Sequence, residues 1–154
     1  MAPVRVTHRY NQPPDRVFDA WLNPALASKF FFATRTGSIL LCEIDATVGG
    51  QFLVTDRRPH ADEDESFFHA EHRGTYVEIE RPHRLAFDMG VEPYAAAITR
   101  VTIDIVPLGV SMCEIVLTHN LGQNVDRAVA ERDRQGWERM LDQLDKVLGT
   151  RVRF

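Results

Sequence analysis

Residues 124–149 read NVDRAVAERDRQGWERMLDQLDKVLG. Val129, Trp137, Met140, Leu141, Leu144 and Leu148 fall at the three- and four-residue steps that put apolar groups on one helical face. The spacing predicts a helix from Gln123 to Leu148, closed by Gly149. At 1.5 Å per residue it is about 39 Å long, enough to cross a small domain. Almost everything before it alternates with period two between proline and glycine breaks. One long helix must therefore cover one curved sheet.

The chain has 154 residues, the usual size of one domain, and residues 1–154 are read as a single unit. With 44% hydrophobic and 26% charged residues it is globular in composition, and at this size it needs no disulfide or metal to hold a core. The net charge is −4, and the basic residues are scattered, which argues against nucleic acid and against an anionic membrane surface. Cys42 and Cys113 both fall in predicted strands and are read as buried reduced thiols. The opening MAPVRVTHRY has no apolar signal core, and no stretch approaches the about 18 apolar residues of a membrane span. The expected location is the cytosol.

Taken in order, Val4 to Tyr10 alternates as a first strand. Pro14 opens a short helix with Val17, Phe18, Trp21 and Leu22 on its apolar side. Asn23-Pro24 caps and starts a second short helix, expected to reach about Phe30. The run Phe30-Phe31-Phe32 cannot occupy one face of anything, so at least one ring must find a core, a pocket or a partner. Strands then follow at Ile39–Ile44, Gln51–Asp56, Phe67–Ile79, Leu85–Met89, Val101–Val106 and Met112–Asn120. Gly49-Gly50 and Pro107-Leu108-Gly109 are read as turns, and the fourth strand as bent or bulged near Gly74. The acidic run Asp62–Glu65 reads as a solvated tip. Short half-buried strands at this spacing make an antiparallel sheet, and helices set apart from it make the class α+β.

The runs VFDAWLNPALASKFF, Gly49-Gly50 before Phe52, GTYVEIERPHRLAF, VTIDIVPLG, LTH and GWERMLDQL, in this order, resemble the SRPBCC (START-like) superfamily. The branch they resemble is the one named for the activator of heat-shock-protein-90 ATPase homologues. The resemblance implies a helix-grip fold, with seven curved strands around the C-terminal helix and two short helices closing one end. It implies no single activity, since the superfamily holds lipid carriers, hormone receptors, polyketide cyclases and co-chaperone domains.

Polar residues stand out against this frame. On a helical wheel Trp137, Met140, Leu144 and Leu148 form one narrow stripe, and Asp133 falls between Met140 and Leu144. Asp133 thus lies inside the apolar stripe, where a carboxylate needs a partner. His119 alternates with Cys113, Ile115 and Leu117 and should also face inward. Relatives in the resembled branch often carry histidine where Asp133 stands, in ERHRxGW; here the run is ERDRQGW, so no site built on that histidine carries over. The preferred reading is structural, with Asp133 at the wetter helix start and His119 a satisfied core histidine. Next comes a polar pair that orients a ligand, and then an acid and base for catalysis. His69, Glu71 and His72, with His60 nearby, do not converge as metal ligands, because 69 and 71 share a strand face opposite 72. No motif calls for a nucleophile, nucleotide, zinc or other cofactor.

Trp21, Phe30, Phe32, Phe52, Phe67, Phe87, Ile103, Trp137, Met140 and Leu141, with His119 and Asp133, form the expected ligand-binding set. Composition alone makes such aromatic residues core; the resembled fold moves them toward the wall of an apolar pocket with one or two polar anchors. The expected function is binding of a small hydrophobic or amphipathic molecule. The alternatives are a cavity-based enzyme of cyclase or dehydratase type and a protein that touches a chaperone ATPase.

Overall fold

A computed structural model describes residues 3–33, 38–59, 67–92, 98–122 and 125–149. The elements are β1 (Val4–Tyr10), α1 (Pro14–Leu22), α2 (Pro24–Ala27), β2 (Ser38–Ile44), β3 (Gln51–Pro59), β4 (Phe67–Glu80), β5 (Arg84–Glu92), β6 (Thr99–Gly109), β7 (Met112–Asn120) and α3 (Arg127–Gly149). The strands form one sheet in the order β1-β7-β6-β5-β4-β3-β2, every neighbouring pair antiparallel. The sheet is curved and α3 lies across it, the expected helix-grip architecture. The acidic run Asp62–Glu65 and His60 lie outside the described residues.

The register explains what the core contains. Along β7, Cys113, Ile115, Leu117 and His119 are buried while the residues between them are less so. The facing β6 buries Val101, Ile103 and Ile105 by the same alternation. Helix α3 closes this surface with Ala130, Trp137, Met140, Leu141, Leu144 and Leu148. It is tied to β1 as well: the Tyr10 hydroxyl donates to the Leu141 carbonyl at 2.9 Å, and His8 Nε2 lies 2.9 Å from Asp145 Oδ2.

Several boundaries differ from expectation. Helix α3 begins at Arg127, because the Asp126 carboxylate accepts from the Ala128 N–H at 2.9 Å and caps the first turn. Val129 is 42% exposed, and Ala130, which shares its wheel position with Leu148, takes the inward place. Helix α2 stops at Ala27, and turns carry the chain on to Ala33. Pro107 to Gly109 belong to β6, so the reversal falls at Val110-Ser111, with a register shift between Pro107 and Gly109.

The irregularity of β4 lies close to Gly74, between Tyr76 and Glu78, while Gly74 itself stays in register opposite Phe52. A Cβ at Gly74 would overlap the Phe52 ring and the Asp88 carbonyl, so the glycine is a seat for that ring. Gly49-Gly50 does form the turn, with Gly49 at φ +87°, a conformation that favours glycine.

Candidate functional site

The inner surface carries two histidine–carboxylate pairs separated by aromatic rings. His119, on β7, brings Nδ1 to 2.8 Å from Asp133 Oδ2 on α3, and Nε2 to 2.7 Å from the Thr99 hydroxyl on β6. The His119 side chain is 5% exposed and that of Asp133 21%. Sequence reasoning places both inward; the structure brings them together. Among the described residues no arginine caps Asp133.

A third group competes for the same nitrogen. The Trp137 indole N–H, which can only donate, points at His119 Nδ1 from 3.0 Å. Nδ1 can accept from Trp137 or donate to Asp133, but not both. The Thr99 hydroxyl also lies 3.4 Å from the Met89 carbonyl, so it can donate there while accepting from Nε2–H. With its proton on Nε2 alone, His119 accepts from Trp137; with a proton on Nδ1 it donates to Asp133, and the Thr99 hydroxyl can then donate to a bare Nε2. The placement of the proton selects which helical side chain His119 holds. A ring so placed can present a donor or an acceptor to a neighbouring group.

The second pair escapes the sequence reading. His72 Nε2 on β4 lies 2.8 Å from Asp56 Oδ1 on β3, with side chains 4% and 0% exposed. Asp56 follows Phe52 and Val54 on the inward face of β3, so its alternation is a usable signal. His72 and Glu71 do face opposite ways, and Glu71 pairs with Arg73 at 3.2 Å. Among the described residues no group of three His, Cys, Asp or Glu side chains could hold a metal ion.

Phe32 joins the two pairs. Its ring stacks on His72 with centroids 4.1 Å apart and planes within 7°, and it lies 6.0 Å from Trp137. Trp137 in turn meets His119 edge-on at 5.7 Å. Phe32 has φ 57°, a left-handed conformation disfavoured for a bulky residue, and its N–H reaches the Met140 sulfur at 3.5 Å. This backbone turn lets all three consecutive phenylalanines point inward: Phe30, Phe31 and Phe32 are 0%, 1% and 6% exposed. Backbone held in so sparse a region is a feature of functional segments.

Behind this line lies a cluster of rings. Trp21 meets Phe30 at 5.0 Å, and Phe31 meets Phe52 at 5.2 Å and Phe87 at 5.8 Å. Ile103, Leu141 and Met140 belong to the same core. The side chain of Phe67 is outside the described set. Burial pushes the Cys113 thiol up to about 11 and raises that of Cys42, and both cysteines are free. Neither thiol is set up as a nucleophile, because the thiolate is the reactive form.

Seven antiparallel strands gripping one long helix define a member of the SRPBCC class, and the comparisons agree. The family model described as activator of Hsp90 ATPase homolog 1-like protein matches residues 11–149, and the chain belongs to that family. Among solved structures, protein CV1439 of Chromobacterium violaceum is similar at 20% identity and a TM-score of 0.79, over 98% of this chain and 100% of that one. An Hsp90 activator from Plasmodium falciparum is similar at 21% identity and a TM-score of 0.71, with 97% of each chain covered. DynU16, a protein of the dynemicin biosynthetic locus, is similar at 17% identity and a TM-score of 0.70, over 97% of this chain and 48% of that one. At these identities the likeness establishes the fold alone. A search of curated proteins finds no significant match. Among the described residues no helix is long and apolar enough to cross a membrane.

Proposed function

We propose that the protein binds a small hydrophobic or amphipathic molecule between the curved sheet and α3, with His119 and Asp133 as its polar anchor. The observation that carries this reading is the shared nitrogen of His119. Trp137, His119 and Asp133 cannot all be satisfied at once by one another, so a group arriving at Asp133 or Trp137 completes the network. Phe32, Trp137 and Met140 supply apolar surface beside that anchor, the usual make-up of a small-molecule site. No turnover is needed for this role, although a histidine beside a carboxylate is also competent to move a proton. Thermal-shift screening against lipids and polyphenols tests the reading. A binding compound should raise the melting temperature of the native chain and do so less in His119→Ala. A panel that stabilises neither protein would count against binding.

A second reading, contact with a chaperone ATPase, has the support of the family description and of the Plasmodium falciparum activator among the structural neighbours. Recovery of an Hsp90-type ATPase in a pull-down with the native chain would favour it. A chaperone-free pull-down would dispose of it.

A further inference from the structure

The β6–β7 hairpin ends in an apolar arm that takes no part in the core. β1 runs out at Tyr10, opposite Cys113, and the pairing of β5 with β6 begins at Arg84, opposite Asp104. One further backbone bond, from the Ile105 N–H to the His83 carbonyl at 2.8 Å, ties β6 on that side. Past Ile105 and Cys113, among the described residues, the two strands pair only with each other. Every residue from Val106 to Met112 on this ribbon is exposed. Val106, Leu108, Val110 and Met112 are 43%, 45%, 91% and 40% exposed. Val110 stands in the reversal itself, a place that glycine, asparagine and aspartate usually fill. Scattered exposed apolar residues are ordinary, but a run of them on one projecting tip marks a contact surface.

The build of the arm selects what covers it. Pro107 has no N–H to offer, and the register shifts between Pro107 and Gly109. Both features spoil an edge for strand addition, so a second copy or an extended peptide gains no ladder there. A stable protein interface takes about 20–30 residues and about 800 Å² from each partner. The seven residues from Val106 to Met112, on a narrow convex ribbon, fall far short of that. A bilayer demands neither a minimum area nor a matching shape. Residues 106–113, VPLGVSMC, carry no charge. The charges that flank them are already paired: Glu114 lies 3.3 Å from Arg9, and Asp104 lies 3.5 Å from Arg84. In a chain of net charge −4, no basic patch at this tip draws an anionic surface.

We infer that the β6–β7 arm docks on the surface of an uncharged, zwitterionic lipid bilayer, with Leu108 and Val110 entering the acyl boundary. Apolar burial alone drives the contact, so it is weak and reversible, as a single apolar anchor is. The surface is separate from the His119 anchor and independent of any occupant of the interior.

The test is flotation of the full chain with phosphatidylcholine vesicles, beside a double variant, Leu108→Ser with Val110→Ser. The native chain should float with the vesicles, insensitive to salt and no more strongly when phosphatidylserine is added. The double variant should partition about tenfold less or weaker still, from the lost apolar burial. Its melting temperature should stay close to that of the native chain, because both side chains already face water. No flotation of the native chain, or equal flotation of the two proteins, would overturn the inference. Binding that grows with phosphatidylserine and fades with salt would overturn it as well. So would a dimer in sedimentation velocity, or a chaperone ATPase in a pull-down, that the double variant loses, since the arm would then serve a protein partner.

Discussion

The shared nitrogen of His119 makes a prediction with a sign as well as a size. Asp133→Asn removes the charged partner of Nδ1, and Trp137→Phe removes its indole partner. A hydrogen bond to a charged group contributes about 1.5–3 kcal/mol. Asp133 is 21% exposed, so solvent screening brings its share to about 1–2 kcal/mol. The Trp137 bond is neutral and worth about 1 kcal/mol. Either single loss leaves Nδ1 with its other partner, so the double variant should lose more than the sum of the two single losses. Trp137→Phe also loses ring volume, but that loss is common to the single and the double variant and cancels in the cycle. The assay is urea unfolding of the native chain, the two single variants and the double variant at one pH. With a urea dependence of about 1–3 kcal/mol per molar, the midpoints should move by roughly 0.5–1 M. Losses that simply add in the double variant would refute the idea that Trp137 and Asp133 alternate on Nδ1.

Three other outcomes follow from the packing. Asp56→Ala leaves His72 beside a vacated partner in a site where both side chains are nearly inaccessible; it should cost about 3 kcal/mol or more in chemical unfolding, against about 1–2 kcal/mol for Asp133→Ala. Gly74→Ala forces the Phe52 ring from its seat and should cost about 1–3 kcal/mol. Phe52→Leu in the same chain should recover part of that loss, and no recovery would mean that the Asp88 carbonyl makes the clash. Cys113, fully buried and with its thiol raised to about 11, should react with a thiol reagent only as fast as the chain opens, whereas half-buried Cys42 should react in the folded state.

The helix-grip frame is legible in the sequence because its two periods are clean. The apolar face of α3 and the alternation of β7 are enough to place His119 and Asp133 inward, and their pairing at 2.8 Å follows from the packing of those two elements. The start of α3 is not legible in the same way, because hydrophobic spacing says nothing about where a polar first turn is capped. Val129 attracts the inward assignment because it is more apolar than Ala130, while the helical angle favours the alanine. The Asp56–His72 pair is hidden for a different reason. Strand alternation puts both residues on the inner face, but a carboxylate reads as surface unless its partner is known, and the register of β3 against β4 is a tertiary fact. The reach of Phe32 depends on one left-handed residue, which no local propensity announces. That the Trp21 and Tyr76 donors meet no acceptor among the described residues appears only once their neighbours are in place.

The most direct test of the account is native mass spectrometry of the chain purified gently, without detergent or organic solvent. The account predicts a species heavier than the polypeptide by the mass of one small molecule, released when the protein is denatured. A spectrum holding the bare polypeptide alone, unchanged after incubation with the lipids and polyphenols of the screen, would contradict it.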